Sequence, residues 1–313
     1  MGQRRKKGRP INGWLVLDKD YDLGSTEAVS KLKWLYRARK VGHAGTLDPL
    51  ATGILPIAFG EATKTVPFIT DAKKTYQFTA QWGASTSTDD TEGEVLETSD
   101  ARPTKDAIAS ILPSFTGLIR QRPPRFSAVR INGERAYDLA REGVEAELPI
   151  REITIDSLKL IDTPSTDLAR FEAVTGKGAY VRALVRDMAE ALGTVGHVVR
   201  LRRTSVGPFS EAQAVTLADL EALEVGDERD NAILPIEAAL SFVPKAAIDG
   251  PGAGRLRNGQ PALLTPAKAR GVRAGEIGEI PSVVAMEDHL PVAICELDGL
   301  KLKPLRVFNF ETS

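Results

Sequence analysis

The sequence predicts an α+β fold that ends in a small β-rich domain. Apolar residues alternate with polar ones over residues 75–82, the period of a half-buried strand, and they recur at helical spacing over residues 181–192. After a segment rich in proline, glycine and alanine at 244–254, only short strand-like runs follow. A chain of 313 residues has room for about two domains.

The N-terminal third predicts a helix, a glycine-rich loop and two strands. Ser25 can cap a helix that runs to about Arg39. A loop with three glycines occupies residues 42–53, and residues 54–59 form a short buried strand. Tyr76 begins the apolar face of the next strand.

The middle of the chain predicts a turn, two strands and two helices. The Asn-Gly pair at 132–133 is a strong turn signal, and a short helix over 135–141 follows it. Residues 153–161 and 168–175 have the composition of strands. A longer helix over 176–192 is ended by the glycine that follows it.

The C-terminal part predicts a linker and a small domain. Thr216 and Asp219 form a capping-box pattern at the start of a helix. Residues 244–254 are predicted to be a linker, and 291–297 and 300–310 to be short strands about an Asp-Gly turn. We therefore divide the chain into a flexible basic arm of residues 1–10, a main domain of residues 11–245 and a C-terminal domain of residues 246–313.

The near-zero net charge hides segregated patches. Lysine and arginine total 41 and aspartate and glutamate 42, which gives a net charge of −1. Basic residues nevertheless concentrate at 1–10, 120–141 and 177–203, and acidic residues at 89–100 and 219–230. Because a groove senses local charge, the basic segments are candidates to contact phosphates. For residues 1–10, a solvated tail is the alternative.

Cysteine content and hydropathy exclude several classes of protein. Cys295 is the only cysteine, which excludes an internal disulfide framework and a Cys-x-x-Cys zinc or redox site. No apolar run approaches the ~20 residues that span a bilayer. The apolar stretch after the basic N-terminus is too short for a signal peptide. These features predict a cytoplasmic protein with no membrane partner.

The loop at 42–53 has the strongest chemical pattern in the chain. Pro49 fixes the backbone directly after Asp48, so this carboxylate could serve as a nucleophile, a base or a metal ligand. An Asx turn, in which Asp48 bonds its own backbone, is the alternative. His43 has no second histidine at metal-ligand spacing, which favours a role in ordering the loop. The phosphate-binding pattern Gly-x-x-x-x-Gly-Lys-Ser/Thr does not occur.

Several motifs together resemble those of one enzyme family. The loop at 42–53, with its continuation through 60–64, closely resembles the signature loop of the TruB family of pseudouridine synthases, which isomerise a uridine in the T-loop of tRNA. Further motifs match at the family's spacing, and these occupy residues 12–19, 74–76, 126–129, 177–184 and 196–204. The resemblance covers residues 10–245.

The resemblance implies catalytic roles for three residues. Asp48 would be the nucleophile that attacks the target uridine, and Arg182 would pair with this carboxylate and orient it. Tyr76 would stack on the flipped base and help to move a proton. By pattern alone, Arg182 is a solvated helix charge and Tyr76 a core tyrosine. The isomerisation needs no cofactor and no metal.

The resemblance also implies substrate contacts. Tyr180 and Leu201 would flank the uracil, although a buried leucine is equally well explained as part of the core. His43 would support the rearranged loop, and Lys19 and Lys64, which lie in matching motifs, would bind the substrate.

Fold and partner follow from the same resemblance. The pseudouridine synthase fold has a central, mostly antiparallel sheet flanked by helices and loops. The arginine-rich insertion at about 120–150 would clamp the RNA, and residues 246–313 would form a PUA-like RNA-binding domain. The partner would be tRNA, through its T-arm and T-loop, bound by a monomer with no obligate protein partner. The acidic stretches would then face away from the RNA.

The chain departs from the family at one motif, and two other functions stay open. The first motif of the family usually ends in Asp-Lys-Pro-x-Gly, whereas Asp20 and Asp22 replace both turn residues here, which predicts a looser or differently bent loop. The alternatives are a tRNA-folding chaperone that acts by binding and a guide-RNA-dependent pseudouridylase of the dyskerin type. The second is disfavoured because the arginine-rich insertion marks the stand-alone branch.

Overall fold

Two large β-sheets dominate the computed structural model, which describes residues 8–127, 129–131, 134–136, 148–224, 226–273 and 282–310. The strands are β1 (Gly13–Lys19), β2 (Val41–His43), β3 (Ala51–Phe59), β4 (Lys74–Trp82), β5 (Ala84–Thr86), β6 (Val95–Thr98), β7 (Gly117–Gln121), β8 (Arg130–Ile131), β9 (Glu134–Arg135), β10 (Arg151–Asp162), β11 (Leu168–Thr175), β12 (Gly196–Val206), β13 (Phe209–Ser210), β14 (Lys245–Ala247), β15 (Ala262–Leu263), β16 (Val283–Glu287), β17 (Leu290–Asp298) and β18 (Lys301–Val307). The helices are α1 (Ser25–Leu35), α2 (Val66–Asp71), α3 (Lys105–Ile111), α4 (Val181–Ala191), α5 (Leu217–Ala222), α6 (Asp227–Asp230), α7 (Gly250–Arg257) and α8 (Pro266–Arg273).

The first sheet has the strand order β1-β3-β12-β4-β11-β10-β7, with β2 added to β3 and β13 to β12. All its pairs are antiparallel except β3 with β12. The alternation over 75–82 buries Phe78, Ala80 and Trp82 under α4, while α1 packs on the other part of the sheet through Leu32 and Leu35. The predicted α+β fold with a mostly antiparallel sheet is therefore confirmed.

The parallel pair β3 and β12 brings distant segments together. Its register sets Ala51 beside Leu201 and Gly53 beside Arg203, and the antiparallel neighbour β4 sets Tyr76 beside Arg203. At Gly53, whose φ is +97°, a Cβ atom would lie 2.2 Å from the carbonyl oxygen of Arg203. Only glycine permits this close approach.

The second sheet has the order β14-β16-β17-β18-β15 and is covered by α7 and α8. It packs against the first sheet through a shared apolar core that includes Trp14, Ile54 and Phe308. The linker predicted at 244–254 is wrong, because 245–247 pair with β16 and Asp249 caps α7 by accepting from the amide of Gly252 at 2.8 Å. Proline and glycine there belong to the first turn of a helix.

Helix α1 begins where the sequence predicts but ends earlier. This helix begins at Ser25 as predicted, but the Ser25 hydroxyl contacts Leu47 in place of capping the helix. The helix ends at Leu35, before the predicted Arg39, because Arg37 adopts a left-handed φ of +50°.

The interior of the insertion and most of the N-terminal arm fall outside the described residues. β8 and β9 pair across the predicted turn at 132–133, whereas that turn and most of the helix predicted at 135–141 lie outside them. Residues 1–7 of the predicted arm also lie outside. Arg9 is not part of a flexible arm, because it pairs with Asp230 and its amide bonds the carbonyl of Arg37. The capping box of Thr216 and Asp219 is confirmed. In the described part of the chain, no helix has the length and hydrophobicity to cross a membrane.

Candidate active site

A cavity of about 560 Å³ opens where the 44–50 loop, β4 and the N-terminal end of α4 meet. Five of the eight residues predicted to act on substrate line it: Asp48, Tyr76, Tyr180, Arg182 and Leu201. Its size lies within the usual range for a small-ligand site and suits a single nucleotide. Lys19, His43 and Lys64 are not among its lining residues.

Asp48 and Arg182 form the charged centre of this cavity. The Nε atom of Arg182 lies 2.9 Å from Oδ2 of Asp48, and the Arg182 side chain is buried while that of Asp48 is 37% exposed. The two terminal nitrogens of Arg182 donate to the carbonyls of Thr88 and Phe126, at 2.7 and 2.9 Å. The guanidinium is thus fixed from three sides and presents one edge to the carboxylate, which stays open to a ligand.

The loop that carries Asp48 is fastened on both flanks. On one side, Ser25 Oγ donates to the Leu47 carbonyl at 2.8 Å, and Lys19 Nζ donates to the Pro49 carbonyl at 3.0 Å. On the other side, Arg203 donates to the carbonyls of Gly45, Thr46 and Ile54 at 2.9, 3.3 and 2.8 Å. The Asp48 carboxylate is therefore held in place before any ligand binds.

Of the two forms predicted for the loop between β1 and α1, looser or differently bent, the contacts of Asp22 contradict the looser one. Asp22 adopts a left-handed φ of +59°, a conformation that favours glycine but that aspartate tolerates. Its amide donates to the Pro49 carbonyl at 2.9 Å, which joins this loop to the segment carrying Asp48.

Lys19 and Lys64 are not placed to bind a ligand in the cavity. Lys19 is 1% exposed, and its ammonium group donates to the carbonyls of Asp20, Leu23 and Pro49. Burial lowers the pKa of Lys19 to about 8. Lys64 donates to Glu61 and to the Val307 carbonyl in β18, so it joins the two sheets.

His43 also lies apart from the cavity. It sits on β2 opposite Ile57, and its Nδ1 atom is buried with no hydrogen-bond partner among the described residues. Burial, and then the positive charge of Arg203, lower the pKa of His43, so its imidazole is neutral at pH 7. This position fits the predicted role in supporting the loop better than direct binding.

Tyr76, Tyr180 and Leu201 supply the apolar walls. The backbone of Tyr180 exchanges two hydrogen bonds with the Gln121 side chain, at 2.9 and 3.2 Å. Burial raises the pKa of Tyr180, so the phenol stays neutral. Val129, part of the arginine-rich insertion, belongs to a small apolar cluster against Tyr180, and Phe126 lines the cavity itself.

The acidic stretch at 89–100 does not face away from the cavity, contrary to prediction. Asp90 and Glu92 line the cavity, and Oδ2 of Asp90 lies 3.6 Å from Nη1 of Arg182. Asp89 pairs with Arg186 at 3.0 Å. These carboxylates neutralise arginines almost a hundred residues away, a pairing that linear charge counts cannot reveal. Partial burial, and then the charges of Asp90 and Asp48, raise the pKa of Glu92.

Sequence reasoning missed Arg203, Asp90 and Lys74 as members of the site. Arg203 was counted within a basic patch, yet it is 1% exposed and donates to three backbone carbonyls. Lys74 lines the cavity and donates to the carbonyls of Thr70 and Ala72. Burial, and then the charge of Arg203, lower the pKa of Lys74 to about 8. The sequence signal for Lys74 was its place at the start of a strand with an apolar face.

The basic segment at 177–203 is largely neutralised within the protein. Arg202 makes two parallel hydrogen bonds to Asp18, at 2.9 and 2.8 Å, and a third to Glu211. Arg186 pairs with Asp89 and Asp187. Among the residues that the structure describes, no cluster of histidine, cysteine, aspartate and glutamate could hold a metal ion.

Comparison with known families identifies this arrangement. Residues 33–181 match the model of the TruB family pseudouridylate synthase N-terminal domain, and residues 182–241 match the tRNA pseudouridylate synthase B C-terminal domain. The chain belongs to the TruB family. The Asp48 loop, Tyr76 and Tyr180 lie within the first match, and Arg182, Leu201 and Arg203 lie within the second.

Curated relatives extend the TruB match to nearly the whole chain. A protein of Caulobacter vibrioides named tRNA pseudouridine synthase B is 52% identical over 98% of this chain and 99% of its own. One of Agrobacterium fabrum with the same name is 51% identical over 98% and 97%. The predicted TruB resemblance is thus confirmed.

A solved structure shares the fold. The chain resembles a protein in a Cbf5-Nop10-Gar1 complex with a TM-score of 0.73 and 24% identity, over 98% of this chain and 91% of that one. At that identity the likeness concerns the fold alone.

Proposed function

We propose that this chain is a stand-alone tRNA pseudouridine synthase that converts the T-loop uridine at position 55 of tRNA into pseudouridine. The observation that carries the proposal is the Asp48–Arg182 pair, 2.9 Å apart at the wall of a cavity large enough for one nucleotide. Relatives about 50% identical over the full chain carry the name tRNA pseudouridine synthase B. Their name supports the main prediction and neither of the two alternatives.

In the proposed reaction, Asp48 is the nucleophile. The uridine flips out of the stacked loop into the cavity, where the Asp48 carboxylate attacks it and the bond between N1 and C1′ breaks. The base rotates and rejoins C1′ through C5, which displaces the Asp48 oxygen that had bonded to C1′. The proton that C5 then loses is balanced by one gained at N1, so the product is an isomer of the substrate. Arg182 stabilises the negative charge of Asp48 and keeps one carboxylate oxygen directed into the cavity.

The cavity walls would hold the base during its rotation. Tyr76 would stack on it and assist the proton transfer, and Tyr180 and Leu201 would flank it. Apolar walls suit a base that must turn, since they grip its faces without fixing its polar edge. His43 would support the loop, while Lys19 acts on the substrate only through the Pro49 carbonyl.

Other parts of the chain would bind the rest of the T-arm. The insertion at about 120–150 would clamp the RNA, since its first residues already reach the cavity. The arm at the N-terminus and the C-terminal sheet, as a PUA-like domain, would add contacts. We further propose that the enzyme works as a monomer without a protein partner, in the cytoplasm where tRNA is processed.

Activity on bare RNA tests this proposal. The purified protein, incubated with an unmodified T-arm hairpin, should form pseudouridine at the position equivalent to 55, detected by mass spectrometry. Cells that lack the protein should have uridine at that position. Failure on the hairpin without added guide RNA would contradict a stand-alone enzyme.

A chaperone makes a different prediction. If binding alone were the function, a catalytically inert Asp48→Asn protein would restore every phenotype of a deletion strain. We expect that variant to bind tRNA and to restore no pseudouridine.

A further inference from the structure

A stripe of exposed side chains runs along α1 away from the cavity. It comprises Thr26, Ser30, Lys33, Trp34 and Arg37, and we call it the α1 stripe. Ser30, Lys33 and Trp34 follow Thr26 by 4, 7 and 8 residues, so these four share one face of the helix, and Arg37 lies just beyond the helix end. The opposite face is buried in the core through Ala28, Leu32 and Leu35.

The stripe begins at the cavity. Thr26 is one of the lining residues, and Ser30 continues the same face by donating to the Thr26 carbonyl at 3.0 Å. Trp34 lies eight residues after Thr26, about 12 Å along the helix axis. A strand that leaves the cavity along α1 would therefore meet Trp34 a few nucleotides from the target.

Trp34 is an unusual residue for an exposed helix face. Its side chain is 78% exposed, the largest value among the exposed large hydrophobic residues of the described chain. Its neighbours along the chain are basic, because Lys31 and Lys33 precede it in the helix and Arg37 follows the helix end. A protein-binding face would group several apolar side chains, whereas a single aromatic ring among cations suits a nucleic-acid strand, with a base on the ring and phosphates on the cations.

The segment that carries the stripe is basic, and the acidic Asp230 near its far end pairs with Arg9. Residues 25–40 hold five basic side chains and one acid, Glu27, which Lys31 pairs with at 3.1 Å. The backbone of Arg9 is bonded to that of Arg37 at 2.7 Å. Arg9 is thus attached at the far end of the stripe.

Arg37 keeps a backbone conformation that costs it stability. Its φ is +50°, at the position after the helix where glycine is most common. The amides of Arg37 and Ala38 bond the carbonyls of Trp34 and Lys33, each at 3.0 Å, so the conformation belongs to the helix end. Glycine would hold this conformation with less strain, so an exposed arginine there points to a use for its charge.

We infer that the α1 stripe is a track for the RNA strand that leaves the cavity, on which Trp34 stacks against an unpaired base of the T-loop and Lys33 and Arg37 contact phosphates. This inference rests on the proposed function, since it assigns the track to the same RNA. It makes Trp34 a binding residue and gives it no part in the chemistry.

Affinity for a T-arm hairpin tests the track. In fluorescence anisotropy, Trp34→Ala should raise the Kd about tenfold, because stacking on one base is lost, and Trp34→Phe should retain most of the affinity. Arg37→Gly should raise the Kd about threefold and make its salt dependence shallower, without lowering the Tm. Lys105→Ala, a charge removed from the exposed start of α3, is the matched control and should leave the Kd unchanged.

Each contrary result has a distinct meaning. An unchanged Kd for Trp34→Ala would overturn the track and point to a protein partner. A loss seen with full-length tRNA but absent with the hairpin would overturn the assignment to the T-loop strand. If Arg37→Gly is less stable than the wild type, the Kd values of Trp34→Ala and Trp34→Phe still test the track. A wild-type protein that binds but forms no pseudouridine would defeat the proposed function and leave these Kd comparisons intact.

Discussion

The two sheets of this protein treat buried charge in opposite ways. In the described part of the first sheet and its helices, seven buried side chains are lysine, arginine, histidine or aspartate. Five of them, Lys19, Lys74, Asp90, Arg182 and Arg203, lie in or next to the cavity wall, whereas His197 and Arg229 are not among its lining residues. In the described residues from 245 to 310, the buried side chains are apolar except for the thiol of Cys295.

This difference means that the first sheet carries an energetic cost of buried charge that the second sheet avoids. Taking a charge out of water costs several kcal/mol unless partners satisfy it. The second sheet reaches a stable core without that cost. Buried charges that gather around one accessible carboxylate therefore mark a working site, and three of the carbonyls they bond, those of Gly45, Thr46 and Pro49, belong to the loop that carries it.

The largest expected effect follows removal of Arg203. Arg203→Met leaves the carbonyls of Gly45, Thr46 and Ile54 without their donor, so the free energy of unfolding should fall by about 3 kcal/mol or more and activity should disappear. Urea denaturation and a pseudouridine assay measure both. The matched control, Leu302→Ala in the second core, should cost about 2–5 kcal/mol yet remain active where it is folded. Loss of activity in that folded control would break the comparison.

A subtler change at Arg182 should separate catalysis from folding. Arg182→Lys keeps the charge, but an ammonium group cannot reach Asp48, Thr88 and Phe126 at once. We expect kcat to fall about 100-fold with tRNA affinity changed little. Arg186→Lys, one turn along α4, should lower kcat a few-fold at most. Similar kcat values for the two variants would contradict the role of Arg182.

Alkaline pH should change the free energy of unfolding in opposite directions through one buried group in each sheet, Lys74 in the first and Cys295 in the second. The pKa of Lys74 is lowered from 10.5 to about 8, so between these values the unfolded chain binds more protons and the free energy of unfolding rises with pH. Burial raises the pKa of Cys295 from 9.0 to about 12, so between these values the folded chain binds more protons and stability falls.

Urea denaturation at several pH values tests these signs. Relative to Lys74→Met, the wild type should gain roughly 1–2 kcal/mol from pH 8 to 9.5. Relative to Cys295→Ala, it should lose a similar amount from pH 9.5 to 11. If the wild-type stability relative to each variant changed with pH in the same direction in both comparisons, the two burial environments would be alike.

The smallest effect is expected at the contact between the sheets. Lys64→Ala removes hydrogen bonds to Glu61 and to the Val307 carbonyl, and it should cost at most about 1 kcal/mol of stability. The Kd for tRNA should not change. A tenfold weaker Kd would return Lys64 to the substrate-binding residues that the sequence predicted.

Much of the fold was predictable because it depends on local patterns. Hydrophobic alternation located β4, and the helical spacing after the glycines at 176–178 located α4. The linker at 244–254 was mispredicted because proline and glycine serve both linkers and helix starts.

The candidate site was predictable only in part. Motif resemblance brought Asp48, Tyr76 and Arg182 into one cavity, as the structure has them. It could not distinguish a lysine that binds RNA from Lys19, which bonds three carbonyls of its own chain. Burial and long-range pairing decide such roles, and neither is visible along the sequence.

Single-turnover pseudouridine formation by Asp48→Asn is the most direct test of the central claim, that Asp48 is the nucleophile held by Arg182. On saturating T-arm hairpin, the variant should form no detectable pseudouridine while binding the RNA with near wild-type affinity. Asp22→Asn, an equal change at a carboxylate that does not line the cavity, should react at the wild-type rate. Appreciable turnover by Asp48→Asn would contradict the account.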